Sequence, residues 1–205
     1  MPKPQLILMA VRHGRTRLNA QNAFRGDKNV PLDATGLNQA MRAANRLAKL
    51  KFSRGITSDR KRTKQTAAIL KKVLGVDFTY SHKLRALNVG DFSGKEKTPE
   101  RQKEMAHYVS HPSETIPGGE SLNHFKARVR PVLQKLFIAG RKLPSPILLV
   151  GHSSIIHEIG SMIYKDHNSI LVEPGGIASV TLKDGKLTAK AVYKASPPKG
   201  KQEVS

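Results

Sequence analysis

Apolar positions along the chain fall into two patterns, short unbroken runs and rows spaced three and four apart. Leu6 to Val11 and Ile147 to Val150 are unbroken, the mark of strands buried on both faces. Elsewhere the spacing is helical. Leu37, Met41, Ala44, Leu47 and Ala48 share one face of a helix near 36–50, with Arg42, Arg46 and Lys49 outward and Asp33 or Thr35 as its cap. Thr63, Ala67, Leu70 and Leu74 mark a second helix, closed by Gly75. Thr98-Pro99-Glu100 supplies a cap, a proline at the first helical position and an acid in the first turn, so a third helix runs from there and stops before His111-Pro112. Ser121 caps a fourth, with Leu122, Phe125, Val129, Val132, Leu133 and Leu136 on its apolar face. Pro131 is expected to bend it or remove one backbone bond. Ile155, Ile156, Ile159, Met162 and Ile163 define a fifth over 154–164. Short strands are expected at 54–57 and 76–80, and strands at 178–182 and 187–193 flank the hairpin signal Asp184-Gly185.

Strands alternating with helices imply a mostly parallel sheet covered by helices, an α/β fold of three layers, α/β/α. Ligands of such sheets bind beyond the carboxyl ends of the strands. Both unbroken runs deliver a histidine there: Arg12-His13-Gly14-Arg15-Thr16 follows the first and Gly151-His152-Ser153 the second. Arg62 begins the helix after Ser58-Asp59. Two imidazoles and two guanidiniums suit phosphoryl transfer. A neutral imidazole can attack phosphorus when its other ring nitrogen is held as a donor, and arginine forks match phosphate oxygens. A second imidazole, protonated, would stabilise the charge that builds on those oxygens.

The 205 residues suffice for one domain, expected over 1–194, followed by a disordered basic tail, 195–205. No apolar run reaches the roughly 18 residues of a membrane span, the first run is too short for a signal peptide, and there is no cysteine. A cytoplasmic protein without membrane contact is expected. Lys and Arg number 36 against 15 Asp and Glu, a net charge of +21. Such a surface is either a solvated basic shell or attractive to polyanions, nucleic acid among them.

Taken in order, these segments resemble the histidine phosphatase superfamily, in its phosphoglycerate mutase-like branch. Arg12-His13-Gly14-Arg15-Thr16 with Asn19 matches the family's opening motif. Phe24-Arg25-Gly26 through Pro31-Leu32 and Thr35-Gly36 matches the next segment. Ser58-Asp59, Arg62, Thr63 and Gln65-Thr66-Ala67 match the second motif, Pro117-Gly118-Gly119-Glu120-Ser121 the run before the long helix, and Val150-Gly151-His152-Ser153 the second histidine. The resemblance implies a phosphoglycerate mutase-like fold, His13 as a nucleophile that forms phosphohistidine, Arg12, Arg62 and His152 around the phosphoryl group, and Asn19 lining the pocket. Its substrate would be a phosphorylated small molecule or macromolecule. No cofactor is implied. Nor is a metal, and the chain has no HExxH motif.

One position departs from the pattern. In Leu84-Arg85-Ala86, Ala86 stands where the family carries the glutamate that protonates the leaving oxygen. General acid help is worth about 10²–10⁴-fold. Ser153 takes the place of the acid that other branches set after the second histidine. Glu120 is the leading substitute, with Asp91 beside it. Otherwise the leaving group must need no proton, as in aryl esters or phosphoanhydrides, or the site binds phosphate and hardly turns over. The rival reading is therefore an impaired module that binds phospho-ligands or polyanions. A phosphoglycerate mutase is less favoured, and the Gly151-His152-Ser153 start of a hydrolase elbow fails at Ile155. Lys95, Lys97, Arg101 and Lys103 fall where the family inserts a substrate-covering segment, here about 95–117. Arg60, Lys61 and Lys64 read as a solvated helix face, and His82, His107, His111, His124, His157 and His167 as surface residues.

Overall fold

A computed structural model describes residues 4–166 and 169–193. The expected tail, 195–205, and His167 lie outside the described residues. Chain order is β1 (Gln5–Arg12), α1 (Arg17–Ala20), α2 (Ala34–Leu47), β2 (Arg54–Thr57), α3 (Lys61–Leu74), β3 (Phe78–Tyr80), α4 (Pro99–Ser110), α5 (Leu122–Lys142), β4 (Ile147–Gly151), α6 (Ser153–Tyr164), β5 (Ile177–Lys183) and β6 (Lys186–Tyr193), with 3-10 turns at His82–Leu84 and Gly90–Phe92. The described strands form one mixed sheet in the order β3-β2-β4-β1-β5-β6. β1 to β4 run parallel, while β5 is antiparallel to both β1 and β6.

The central strands are buried on both faces because their side chains feed two cores. In β4, Ile147 and Leu149 join Phe125, Val129 and Leu133 of α5 and Ile155, Ile156 and Ile159 of α6. Leu148 and Val150 point the other way, to Ala43, Ala44 and Leu47 of α2 and Ala67 and Leu70 of α3. Each such fully buried aliphatic side chain is worth about 1.5–3 kcal/mol, so the three layers hold the two site-bearing strands rigidly. A third, smaller cluster of Phe24, Val89, Phe92 and Ile116 sits beneath α4, which packs on it through Met105 and Tyr108.

Helix signals read from sequence meet their partners. Asp33 caps α2 by accepting from the Gly36 amide at 2.7 Å, Thr98 caps α4, Ser121 caps α5, and Gly75 closes α3 in the left-handed region at φ 65°. Two expectations need correction. α2 starts and ends earlier than 36–50, and its buried face is Gly36, Ala40, Ala43, Ala44 and Leu47, leaving Leu37 and Met41 exposed. Small side chains win that face because the helix start presses on the first site loop: a Cβ on Gly36 would lie 2.0 Å from the Arg15 carbonyl oxygen. The third strand begins only at Phe78, since Gly75 turns the chain and the Val76 side chain fills the α2–α3 core. α5 continues through Pro131 as one helix.

Candidate active site

Strand register builds the site. β1 and β4 pair as Leu8 with Ile147 and so on to Arg12 with Gly151, and the next amide, that of His13, donates to the Gly151 carbonyl at 2.9 Å. The residues after the last pair are the two histidines. Their rings meet edge to face with centroids 5.3 Å apart. The loop carrying His13 is pinned from three sides. Gly14 N–H donates to Thr66 Oγ1, Gly175 N–H donates to the Arg12 and His13 carbonyls, and the Arg15 amide donates to Gln39 Oε1 at 2.8 Å.

Hydrogen bonds fix both tautomers. His13 Nδ1 lies 2.7 Å from the Gly14 carbonyl oxygen, which can only accept, so Nδ1 carries the proton and Nε2 keeps a free lone pair. Arg62 Nε donates to His152 Nδ1 at 3.3 Å, which puts the His152 proton on Nε2. That Nε2 is buried without a protein partner among the described residues. Arg62 itself is held by the Lys28 and Gly26 carbonyls at 2.5 and 2.9 Å.

Both imidazoles are held well below their ordinary pKa. Burial is the main cause for each and the Arg62 charge the next. His152 is thus neutral in the free protein, not the cation expected from sequence, because a proton there would be desolvated beside Arg62, Arg25 and Arg12. Burial likewise lowers Arg12 to about 10 and Arg62 to about 9, and both remain charged at neutral pH.

His13, Arg62 and His152 line one pocket of about 170 Å³ with Phe24, Arg25, Ala86, Lys97 and the α4 residues Met105 and Val109. Ser153 and Ser154 line it too, at the N-terminus of α6, where free amides and the helix dipole favour an anion. Arg12 is outside this lining but close enough for its charge to act on both histidines. One guanidinium nitrogen donates to the Val172 carbonyl at 2.6 Å while its buried Nε has no partner among the described residues. Arg25 was visible in the sequence only as part of a motif, within a stretch without periodicity. Burial lowers its pKa, and the Glu173 charge acts to raise it.

Three sequence candidates lie elsewhere. Asn19 does not line the pocket. Its Oδ1 accepts from Thr16 N–H and Thr16 Oγ1, making the capping box of α1. Glu120 does not line the pocket. Its carboxylate accepts from the Asn88 amide at 2.9 Å and from Arg128 at 2.5 and 3.0 Å, while Arg128 also holds the Lys83, Arg85 and Ala86 carbonyls. This ion pair fixes the loop bearing Ala86 and keeps the carboxylate off the pocket. Asp91 is exposed on the second 3-10 turn. No described residue lining the pocket is a carboxylate.

Comparison with known proteins decides the relationship. The family model described as histidine phosphatase superfamily (branch 1) matches residues 8–193. The chain belongs to that superfamily. A Salmonella choleraesuis (strain SC-B67) protein named "Probable phosphoglycerate mutase GpmB" is 35% identical over 153 residues, spanning 72% of this chain and 69% of that protein. The phosphoglycerate mutase of Bacillus anthracis str. Sterne superposes with a TM-score of 0.77 at 22% identity, over 93% of this chain and 94% of its own. The alpha-ribazole phosphatase of Shigella flexneri gives 0.75 at 19% identity, over 93% and 98%. The phosphoglycerate mutase-like α/β fold is thus shared with proteins named for different activities. No described helix is long and apolar enough to cross a membrane.

Proposed function

We propose that the protein is a phosphatase of phosphomonoesters or phosphoanhydrides that works through a phosphohistidine on His13. The carrying observation is the pair of fixed tautomers: a lone pair on His13 Nε2 and an N–H on His152 Nε2, at rings 5.3 Å apart in one cationic pocket. The His13 lone pair attacks phosphorus, and the bond to the leaving oxygen breaks with its electron pair going to that oxygen. Arg62, Arg12 and the His152 N–H hold the equatorial oxygens, which are charged throughout. Water then attacks phosphorus, the P–N bond breaks, and its pair returns to Nε2. The water's proton leaves to solvent.

With Ala86 in the pocket and no carboxylate lining it, the departing oxygen receives no positioned proton. Acidic leaving groups therefore react and alkoxides leave slowly. The same lack favours hydrolysis over mutase transfer, since handing the phosphoryl group to a second alcohol is the reverse of expelling an alkoxide. Phosphate release across a series from nitrophenyl to alkyl phosphates tests the reading, together with acid-labile labelling of the protein. A steep fall along the series and loss of both signals in His13→Ala are expected. Equal turnover by His13→Ala would overturn it.

A further inference from the structure

Two histidines and a glutamate come together at the far end of α4, outside the pocket. His107 and His111 lie one turn apart and stack, centroids 4.1 Å apart with 26° between the rings. Glu114, from the turn after the helix, places Oε2 at 2.8 Å from His107 Nε2. A donor atom from each of the three lies within 4.8 Å of those of the other two, and all three residues are exposed. His111 is already oriented. Its Nδ1 sits 3.0 Å from the His107 carbonyl oxygen, which only accepts, so Nδ1 holds the proton and Nε2 keeps the lone pair. A backbone carbonyl fixing the tautomer is the usual support of a metal-binding imidazole.

We propose that His107, His111 and Glu114 form a site for a divalent transition-metal ion of the zinc class, which clamps the end of α4 to the turn that follows. Two imidazoles with one carboxylate suit zinc, nickel or copper and give magnesium and calcium, which take oxygen ligands, little hold. Ligand atoms at about 2.0–2.1 Å around a tetrahedral ion stand roughly 3.3 Å apart. The His107–Glu114 pair must therefore open by a few tenths of an ångström as the ion replaces the proton between them. The His111 ring must turn to bring in its donor, now within 4.8 Å of the other two. Water completes the coordination.

The clamp matters because of what α4 covers. Its opposite side sends Met105 and Val109 into the pocket, and Tyr108 meets Phe92 edge to face. Yet α4 contains no fully buried residue, so few contacts hold it in place. Tying its last turn to Glu114 stiffens the segment that roofs the site.

The test uses the untagged full chain, titrated with zinc chloride against a competing chelator, for wild type, His111→Gln and the double variant His107→Gln/Glu114→Gln. Saturable one-to-one binding is expected, weakened at least about tenfold in both variants, with no binding of magnesium. Zinc should slow amide exchange over residues 99–115 in wild type only. Metal-free phosphate release equal in all three proteins reports an intact fold. Wild-type affinity in both variants, which would assign the zinc to other histidines such as His13 and His152, overturns the proposal. So does the lack of saturable binding. Unchanged exchange with zinc bound overturns the clamp.

Discussion

His13 and His152 stand ring edge to ring face at 5.3 Å because their strands stay in register up to Arg12 and Gly151. Closeness among arginines makes each imidazole a poor place for a proton. In the proposed mechanism the reacting form of His13 is the neutral one, and burial beside Arg62 holds its pKa well below 6.5. The acid limb of kcat/KM for a nitrophenyl phosphate should therefore fall well below pH 6.5, once substrate ionisation is divided out. A pH profile on the free enzyme checks this. A limb at an ordinary histidine value would mean that His13 is not buried among these cations.

The same shifts set the acid side of stability. Folded His13 and His152 refuse protons that the unfolded chain accepts near pH 6.5. Their contribution is complete above pH 6.5 and is lost as pH falls toward the folded values. The limiting slope is about 1.4 kcal/mol per pH unit for each histidine, so roughly 2.7 for both. Urea melts at pH 7.5, 6.0 and 5.0 should show midpoints dropping with acid. In His152→Gln the slope should shrink by up to about half.

Glu120 and Arg128 join the loop at Asn88 and Ala86 to the first turns of α5. Arg128→Met strands a nearly buried carboxylate and should cost about 3 kcal/mol. Glu120→Gln keeps an acceptor for the Asn88 amide and should cost about 2 kcal/mol. Neither residue lines the pocket, so in denaturant melts both variants lose stability, while the leaving-group dependence of Glu120→Gln stays that of wild type. A steeper dependence in Glu120→Gln would restore Glu120 as the proton donor.

The architecture was legible where local chemistry decides it. The apolar runs at Leu6 and Ile147, the caps Asp33, Thr98 and Ser121, the Gly75 stop and the Asp184-Gly185 hairpin all act within a few residues of themselves. Both histidines were found because they follow buried strands. What stayed hidden depends on pairing between distant segments. Nothing local says that β4 lies between β1 and β2, yet that order alone brings His152 to His13. The pairing of Glu120 with Arg128 has no local signal, because Arg128 sits two turns away across a helix start. Asn19 was readable in principle, since Thr16 with a polar side chain three residues later is a capping pattern. The His107–His111–Glu114 group has no sequence signature, because the turn returning Glu114 to the helix end carries no periodic signal.

Ala86 offers the most direct intervention, because it lines the pocket and, in the proposed mechanism, leaves the departing oxygen without a positioned proton. Ala86→Glu places a carboxyl there, where burial beside Leu87 and Val89 favours the protonated form and the Arg62, Arg25 and Lys97 charges oppose it. A working general acid is worth about 10²–10⁴-fold, and an unoptimised one should give the lower part of that range. Alkyl phosphate hydrolysis should rise about 10²-fold, with little change for nitrophenyl phosphate, whose leaving group needs no proton. The added volume should cost about 1–3 kcal/mol of stability, so a melt accompanies the kinetics. An equal rise for both substrates would mean that the glutamate acts on binding. A folded variant with no gain on alkyl substrates would mean that some other group already supplies the proton.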